Sequence, residues 1–171
     1  MVDTHRRFFL RSKQKIAHQP LPWLKDAAAF SDHCTRCGEC QRACPENIIV
    51  SGDGGFPTLD FKLGECTFCY DCAEACPESL FLPESLFLPE SLFLPESEQP
   101  WKQSISIATT CLAKNAVECR SCADVCEPRA IQFRMTLGNV AQPQFSTSTC
   151  TGCGACVSPC PVSAISMEQS L

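Results

Sequence analysis

Apolar residues recur along the chain in short alternating stretches that predict small hairpins. Between Cys126 and Cys150, Ile131, Phe133 and Met135 alternate with polar neighbours, and Leu137-Gly138-Asn139 can turn the chain toward Val140 to Phe145. Upstream, Ile48 to Val50 and Thr58 to Phe61 flank SGDGGF, where Gly52, Gly54 and Gly55 can supply the positive φ of a hairpin loop. Ile105 and Ile107 alternate with small or polar residues and predict a strand that pairs with Ala164 to Met167. The plan is therefore a cysteine-rich motif, a hairpin and a second cysteine-rich motif, carried out twice.

The cysteines explain how such short elements could form a core. The chain has 171 residues and 16 Cys against only 8% aromatic residues, so its cores are expected to be nucleated by cofactors. Glu65 to Pro77, ECTFCYDCAEACP, places Cys66, Cys69, Cys72 and Cys76 at spacings of two, two and three intervening residues before a proline, which suits an iron-sulfur cube. The same pattern occupies Cys34, Cys37, Cys40 and Cys44 before Pro45, and Cys150, Cys153, Cys156 and Cys160 before Pro161. A zinc site needs only two separated C-x2-C pairs, and repeated C-x2-C-x2-C runs fit a cluster better than disulfides. The third motif along the chain is irregular: seven residues separate Cys111 from Cys119, after which Cys119, Cys122 and Cys126 recover the later spacing.

In two-cluster ferredoxins the fourth cysteine of each motif ligates the other cluster. Applied pairwise, that exchange predicts Cys34, Cys37 and Cys40 with Cys76, and Cys66, Cys69 and Cys72 with Cys44. In the second half it predicts Cys111, Cys119 and Cys122 with Cys160, and Cys150, Cys153 and Cys156 with Cys126. All 16 Cys are then used, for four 4Fe-4S clusters. Saturated ligation leaves no open coordination position, and neither G-x-G-x-x-G nor G-x-x-x-x-G-K occurs, so electron transfer is expected rather than catalysis by a stand-alone enzyme. His33 is read as a solvent-side neighbour, and Phe68 and Tyr70 as shields of a cluster. The apolar pairs after the fourth cysteines, Ile48-Ile49, Leu80-Phe81 and Ala164-Ile165, are expected to cap clusters.

Pro77 opens a tandem repeat, PESLFL at 77–82, 83–88 and 89–94 with a truncated PES at 95–97. The period is too short for a solenoid unit, and proline in every copy blocks a long helix. One copy is expected to belong to the fold and the others to be duplicated spacer.

Charge divides the chain. Residues 1–25 hold six Lys or Arg against one acid, hence +5, which leaves −10 for the rest of a chain whose formal charge is −5. Each all-cysteine cubane adds about −2, taking the loaded protein to about −13 with four clusters. An acidic body with a basic arm argues against nucleic acid and for docking onto a basic protein surface. Arg6 and Arg7, followed by Phe9, Leu10 and Arg11, look like a twin-arginine export motif, but residues 12–25 lack the apolar stretch of an export signal. The arm is expected to stay in the cytoplasm, either as a solvated basic tail or as an interaction segment. No run of 18 apolar residues occurs, so no transmembrane segment is expected.

HCTRCGEC, the ECTFCYDCAEACPESLF block, the irregular Cys111 to Cys126 motif with VECRSC, Gln142-Pro143-Gln144 and CPVSAI together resemble the NapF family of ferredoxin-type accessory proteins of periplasmic nitrate reductase systems. The PESLFL expansion departs from that family's pattern. The resemblance implies a cytoplasmic protein that contacts the catalytic subunit of periplasmic nitrate reductase before its export, assisting its maturation or delivering electrons to it. A general electron-transfer subunit of another oxidoreductase is the alternative. The expected fold is α+β: a basic arm at 1–30, a bacterial dicluster-ferredoxin-like module at 31–82, a repeat linker at 83–100 and a second such module at 101–171.

Overall fold

The computed structural model describes residues 19–83, 100–136 and 138–169. Arg6, Arg7 and most of the PESLFL repeat lie outside those residues.

The described elements are short. Helices α1 (Phe30–His33), α2 (Glu39–Ala43), α3 (Asp71–Glu74) and α4 (Ser121–Asp124) are each about one turn, too short to persist in water without tertiary support. Strands β1 (Ile49–Ser51) and β2 (Pro57–Leu59) form the first hairpin, with Ile49 opposite Leu59. Strands β4 (Ile131–Thr136) and β5 (Asn139–Phe145) form the second, with Ile131 opposite Phe145 and an irregularity between Arg134 and Thr136. Strands β3 (Gln103–Ile107) and β6 (Ile165–Gln169) pair antiparallel, Ile105 with Met167 and Ile107 with Ile165, as their alternation predicts.

The loop of the first hairpin meets its turn requirement with two of its three glycines. Gly54 and Gly55 take φ of 65° and 79°, whereas Gly52 is extended at −91°. Gly52 is needed for space instead, because a Cβ there would stand 2.8 Å from Thr58 Cγ2.

The first half closes as the second does, in reduced form. Leu24 and Phe81 make an antiparallel bridge, flanked by hydrogen bonds from Lys25 N–H to Leu80 O and from Leu82 N–H to Trp23 O. Residues 23–25 thus stand to the first module as β3 stands to the second. Part of the segment read as a basic arm is packed structure: Leu21, Trp23 and Phe30 are buried. Phe81, in the first PESLFL copy, is buried as well, so that copy takes part in the fold.

The two halves share a core. Leu21, Trp23, Ile48, Leu59, Phe61 and Phe81 gather with Trp101 from the second half, and Val157 and Met167 pack against them. A smaller cluster joins Ile105, Ile131 and Ile165 with Cys122 and Cys156. Rings meet edge-on through this core: Trp23 with Phe68 at 6.2 Å, Phe68 with Trp101 at 5.6 Å and Phe61 with Trp101 at 6.0 Å between centroids. Such contacts add to the burial of large apolar surfaces. The Trp101 indole N–H also donates to Thr151 O at 3.0 Å.

Trp101→Ala should therefore cost about 3–5 kcal/mol of stability, while Leu63→Ala, at an exposed position, should change it by less than about 0.5 kcal/mol. Anaerobic denaturant unfolding of the intact protein measures both.

Candidate functional site: four thiol sets

The three regular motifs share a backbone device. The residues immediately before and after the second cysteine are left-handed in each: Arg36 and Gly38 at φ 59° and 79°, Phe68 and Tyr70 at 57° and 71°, Gly152 and Gly154 at 75° and 80°. Left-handed steps at these points coil the loop, so that closely spaced cysteines face one side. Holding Arg36, Phe68 and Tyr70 there stores backbone strain, and such strain concentrates where function requires a fixed geometry.

The chain then turns sharply after three of the fourth cysteines. Asn47, Arg129 and Ser163 take φ of 55°, 55° and 48°, and their N–H groups donate back to the carbonyls of Cys44, Cys126 and Cys160. The next amides in the second half reach sulfur: Ala130 N–H donates to Cys126 Sγ and Ala164 N–H to Cys160 Sγ, each at 3.2 Å. Amide hydrogen bonds of this kind favour the charged form of a sulfur ligand and tune a cluster it holds.

The irregular motif reaches the same end by another route. A 3-10 turn at Ala113–Asn115 and a left-handed Ala116 at φ 60° take up the extra residues between Cys111 and Cys119. The Asn115 side-chain amide donates to Thr109 O at 2.7 Å and Cys111 O at 2.9 Å, and Gln142 Nε2 on β5 donates to Ala113 O at 2.7 Å. The insertion is therefore pinned to the second hairpin.

Three cavities are each lined by four cysteines. Cys34, Cys37, Cys40 and Cys76 face one, together with Leu80 and Phe81. Cys44, Cys66, Cys69 and Cys72 face another, walled by Ile48, Ile49, Phe68 and Tyr70. Cys111, Cys119, Cys122 and Cys160 face a third beside Ala164 and Ile165. Phe68 and Tyr70, and the apolar pairs that follow the fourth cysteines, thus stand against the thiols they were expected to shield. His33 is exposed at the end of α1.

All sixteen cysteines are free thiols. Burial is the main influence on the innermost of them: it pushes the Cys66, Cys72 and Cys156 thiols up to about 12 and those of Cys40 and Cys122 up to about 11. Neighbouring sulfurs push the same way. Cys76, Cys34 and Cys37 act on Cys40; Cys69, Cys44 and Cys153 act on Cys66, against a hydrogen bond from the Phe68 backbone; Cys111, Cys119 and Cys160 act on Cys122. Burial also raises Cys150, with Cys153 and Cys126 adding to it. Among the described residues no three or more His, Cys, Asp or Glu converge on a single ion. Cubane thiolates each bind a different iron and need not converge on a point as zinc ligands do. The donor chemistry fits iron-sulfur clusters: thiols grouped among apolar walls would be held as thiolates by a cationic core.

Residues 33–80 and 117–164 each match the 4Fe-4S dicluster domain family. Over 169 residues, 98% of this chain and 96% of the relative, the sequence is 45% identical to Ferredoxin-type protein NapF of Escherichia coli (strain K12). It is 44% identical to Ferredoxin-type protein NapF of Haemophilus influenzae over 157 residues, 92% of this chain and 82% of that protein. The chain belongs to the NapF family. The resemblance read from its motifs holds nearly end to end, and this NapF-family chain carries two 4Fe-4S dicluster domains of mixed helix and strand. The second domain match begins after Cys111, the cysteine that the anchored insertion returns to its neighbours.

Sequence reasoning missed the two tryptophans and the left-handed pairs. Trp23 lies eleven residues before Cys34 and Trp101 ten before Cys111, but the pairings that close the two modules match Leu24 with Ile107, so the two rings are not equivalent positions. The glycines of Cys150-x-Gly152-Cys153-Gly154 signal left-handed backbone directly; Phe68 and Tyr70 do not.

Burial enlarges a pH effect whose sign is fixed by thiolate ligation. The raised thiols keep their protons at neutral pH and must lose them to bind iron. Loading metal-free chain with iron and sulfide should release protons, and should become more favourable from about pH 7 to about pH 9 as those protons are lost more easily. Anaerobic titration in weakly buffered solution reads both effects.

Proposed function

We propose that the chain is a cytoplasmic electron-transfer protein that holds four 4Fe-4S clusters and serves the catalytic subunit of periplasmic nitrate reductase before that subunit is exported. The observation that carries this reading is the grouping of twelve cysteines of a NapF-family chain around three cavities, four to each, with four more left in the second dicluster domain for a further set. Cys34, Cys37, Cys40 and Cys76 would hold one cluster, and Cys66, Cys69, Cys72 and Cys44 the second. Cys111, Cys119, Cys122 and Cys160 would hold the third, and Cys150, Cys153, Cys156 and Cys126 the fourth. When bound, such clusters accept and give single electrons without forming or breaking bonds to a substrate.

The chain's own residues provide the rest. Ile48, Ile49, Leu80 and Phe81 keep water from the sulfurs, and the amides of Ala130 and Ala164 stabilise sulfur charge. The body is acidic, which suits a basic docking surface, while Arg6 and Arg7 offer guanidinium groups to an acidic one. No helix among the described residues is long and apolar enough to cross a membrane.

The reading is tested by pull-down of the unexported reductase precursor with the cluster-loaded chain. Stable binding that weakens with rising salt is expected; no binding, with electron exchange to unrelated oxidoreductases intact, identifies a general electron carrier instead. Arg6→Ala with Arg7→Ala should leave all clusters loaded and weaken the association. Cys111→Ser should remove one cluster's worth of iron relative to wild type or leave a three-iron centre, detected by EPR; unchanged iron content would exclude Cys111 as a ligand.

A further inference from the structure

Two of the cysteine loops, one from each module, touch directly. The Cys66 N–H donates to Cys153 O at 2.8 Å, a backbone hydrogen bond between the loop of Cys66, Cys69 and Cys72 and the loop of Cys150, Cys153 and Cys156. The approach depends on missing side chains. Gly152 lies under Trp101, where a Cβ would stand 2.6 Å from Nε1, and any side chain at Gly154 would collide with the Phe61 ring. Phe61, Trp101, Phe68 and Trp23 form a continuous run of ring contacts around this point. The run walls the junction with apolar surface.

We infer that the Cys66–Cys153 contact is the bridge by which electrons cross between the two modules, so that the four cysteine sets work as one row. The inference rests on the four-cluster reading above. Within the first module α2 and α3, which carry Cys40 and Cys72, pack together. Within the second, Cys122 and Cys156 share one apolar cluster. The order is therefore the Cys34 set, the Cys66 set, the Cys150 set and the Cys111 set. Electron transfer between buried centres falls steeply with separation, and a hydrogen bond between two ligand residues gives the shortest covalent and hydrogen-bonded path across the module boundary. With clusters held by these cysteines, each transfer would oxidise one set by one electron and reduce the next by one electron, with no proton or bond moved. A one-electron donor supplies one end of the row, and an oxidised protein partner drains the other.

Full-length, cluster-loaded chain reduced with dithionite tests the inference. Hydrogen exchange should find the Cys66 amide protected in the wild-type protein. Phe61→Glu, which opens the junction from outside the cysteine loops, should expose that amide and, at unchanged iron and sulfide content, remove part of the magnetic coupling between clusters, seen as slower spin relaxation and loss of line broadening in EPR. Leu63→Glu is the control, because Leu63 is exposed two residues further on; it should match wild type. Should Phe61→Glu lose iron, Trp101→Ala opens the same junction, again from outside the cysteine loops. Rapid exchange at the wild-type Cys66 amide, or unchanged relaxation in a variant whose Cys66 amide is exposed, overturns the inference. Low iron in the wild-type protein would instead refute the four-cluster reading on which it rests.

Discussion

Sulfurs drawn out of water and placed beside one another resist ionising, and the whole architecture answers to that constraint. Burial first and neighbouring sulfurs after it hold Cys66, Cys72 and Cys156 near 12. A cationic core reverses the sign of every one of these interactions, because thiolates that repel one another are attracted to it. The protein can then manage with one-turn helices and short strands whose apolar residues would not by themselves support a fold of this size. The strained backbone at Arg36, Phe68 and Tyr70 fits the same view, since it positions sulfurs rather than packing side chains.

The two modules solve one problem with different emphasis. The second has long strands, a pinned insertion and amide hydrogen bonds to Cys126 and Cys160. The first reduces the β3–β6 pairing to the bridge between Leu24 and Phe81 and leans on Trp23, Phe61 and Phe68. Trp101 belongs by sequence to the second module and by packing to the core of the first. That exchange of a large ring, with the bare backbone of Gly152 and Gly154 opposite it, brings the cysteine loops together.

Much of this was legible from residue order. Alternation at Ile105 and Ile107 named the partner of β6, and the glycines of SGDGGF named the first hairpin. Both signals are local, carried by side-chain period and turn chemistry. Spacing named the cysteines that line three of the cavities, and Cys111 lines one of them although its gap departs from the rule. Three features could not be read in the same way. Residues 19–30 look like the tail of a basic arm, yet Leu21 and Trp23 are buried because the first module needs a strand-like segment ahead of its first motif. Gly52 looks like a turn glycine but serves close packing against Thr58. The Cys66–Cys153 hydrogen bond joins backbones of distant loops and leaves no trace in side-chain pattern.

The central claim is that the clustered thiols hold cubanes and that these, more than the apolar core, organise the chain. Iron-57 Mössbauer spectroscopy of anaerobically purified protein, combined with iron and acid-labile sulfide analysis, tests it most directly. The account predicts about sixteen iron and sixteen sulfide per chain, with the iron in the delocalised mixed-valence form of 4Fe-4S cubanes. Stoichiometric zinc in place of iron, or mononuclear iron without sulfide in a folded chain, would contradict it.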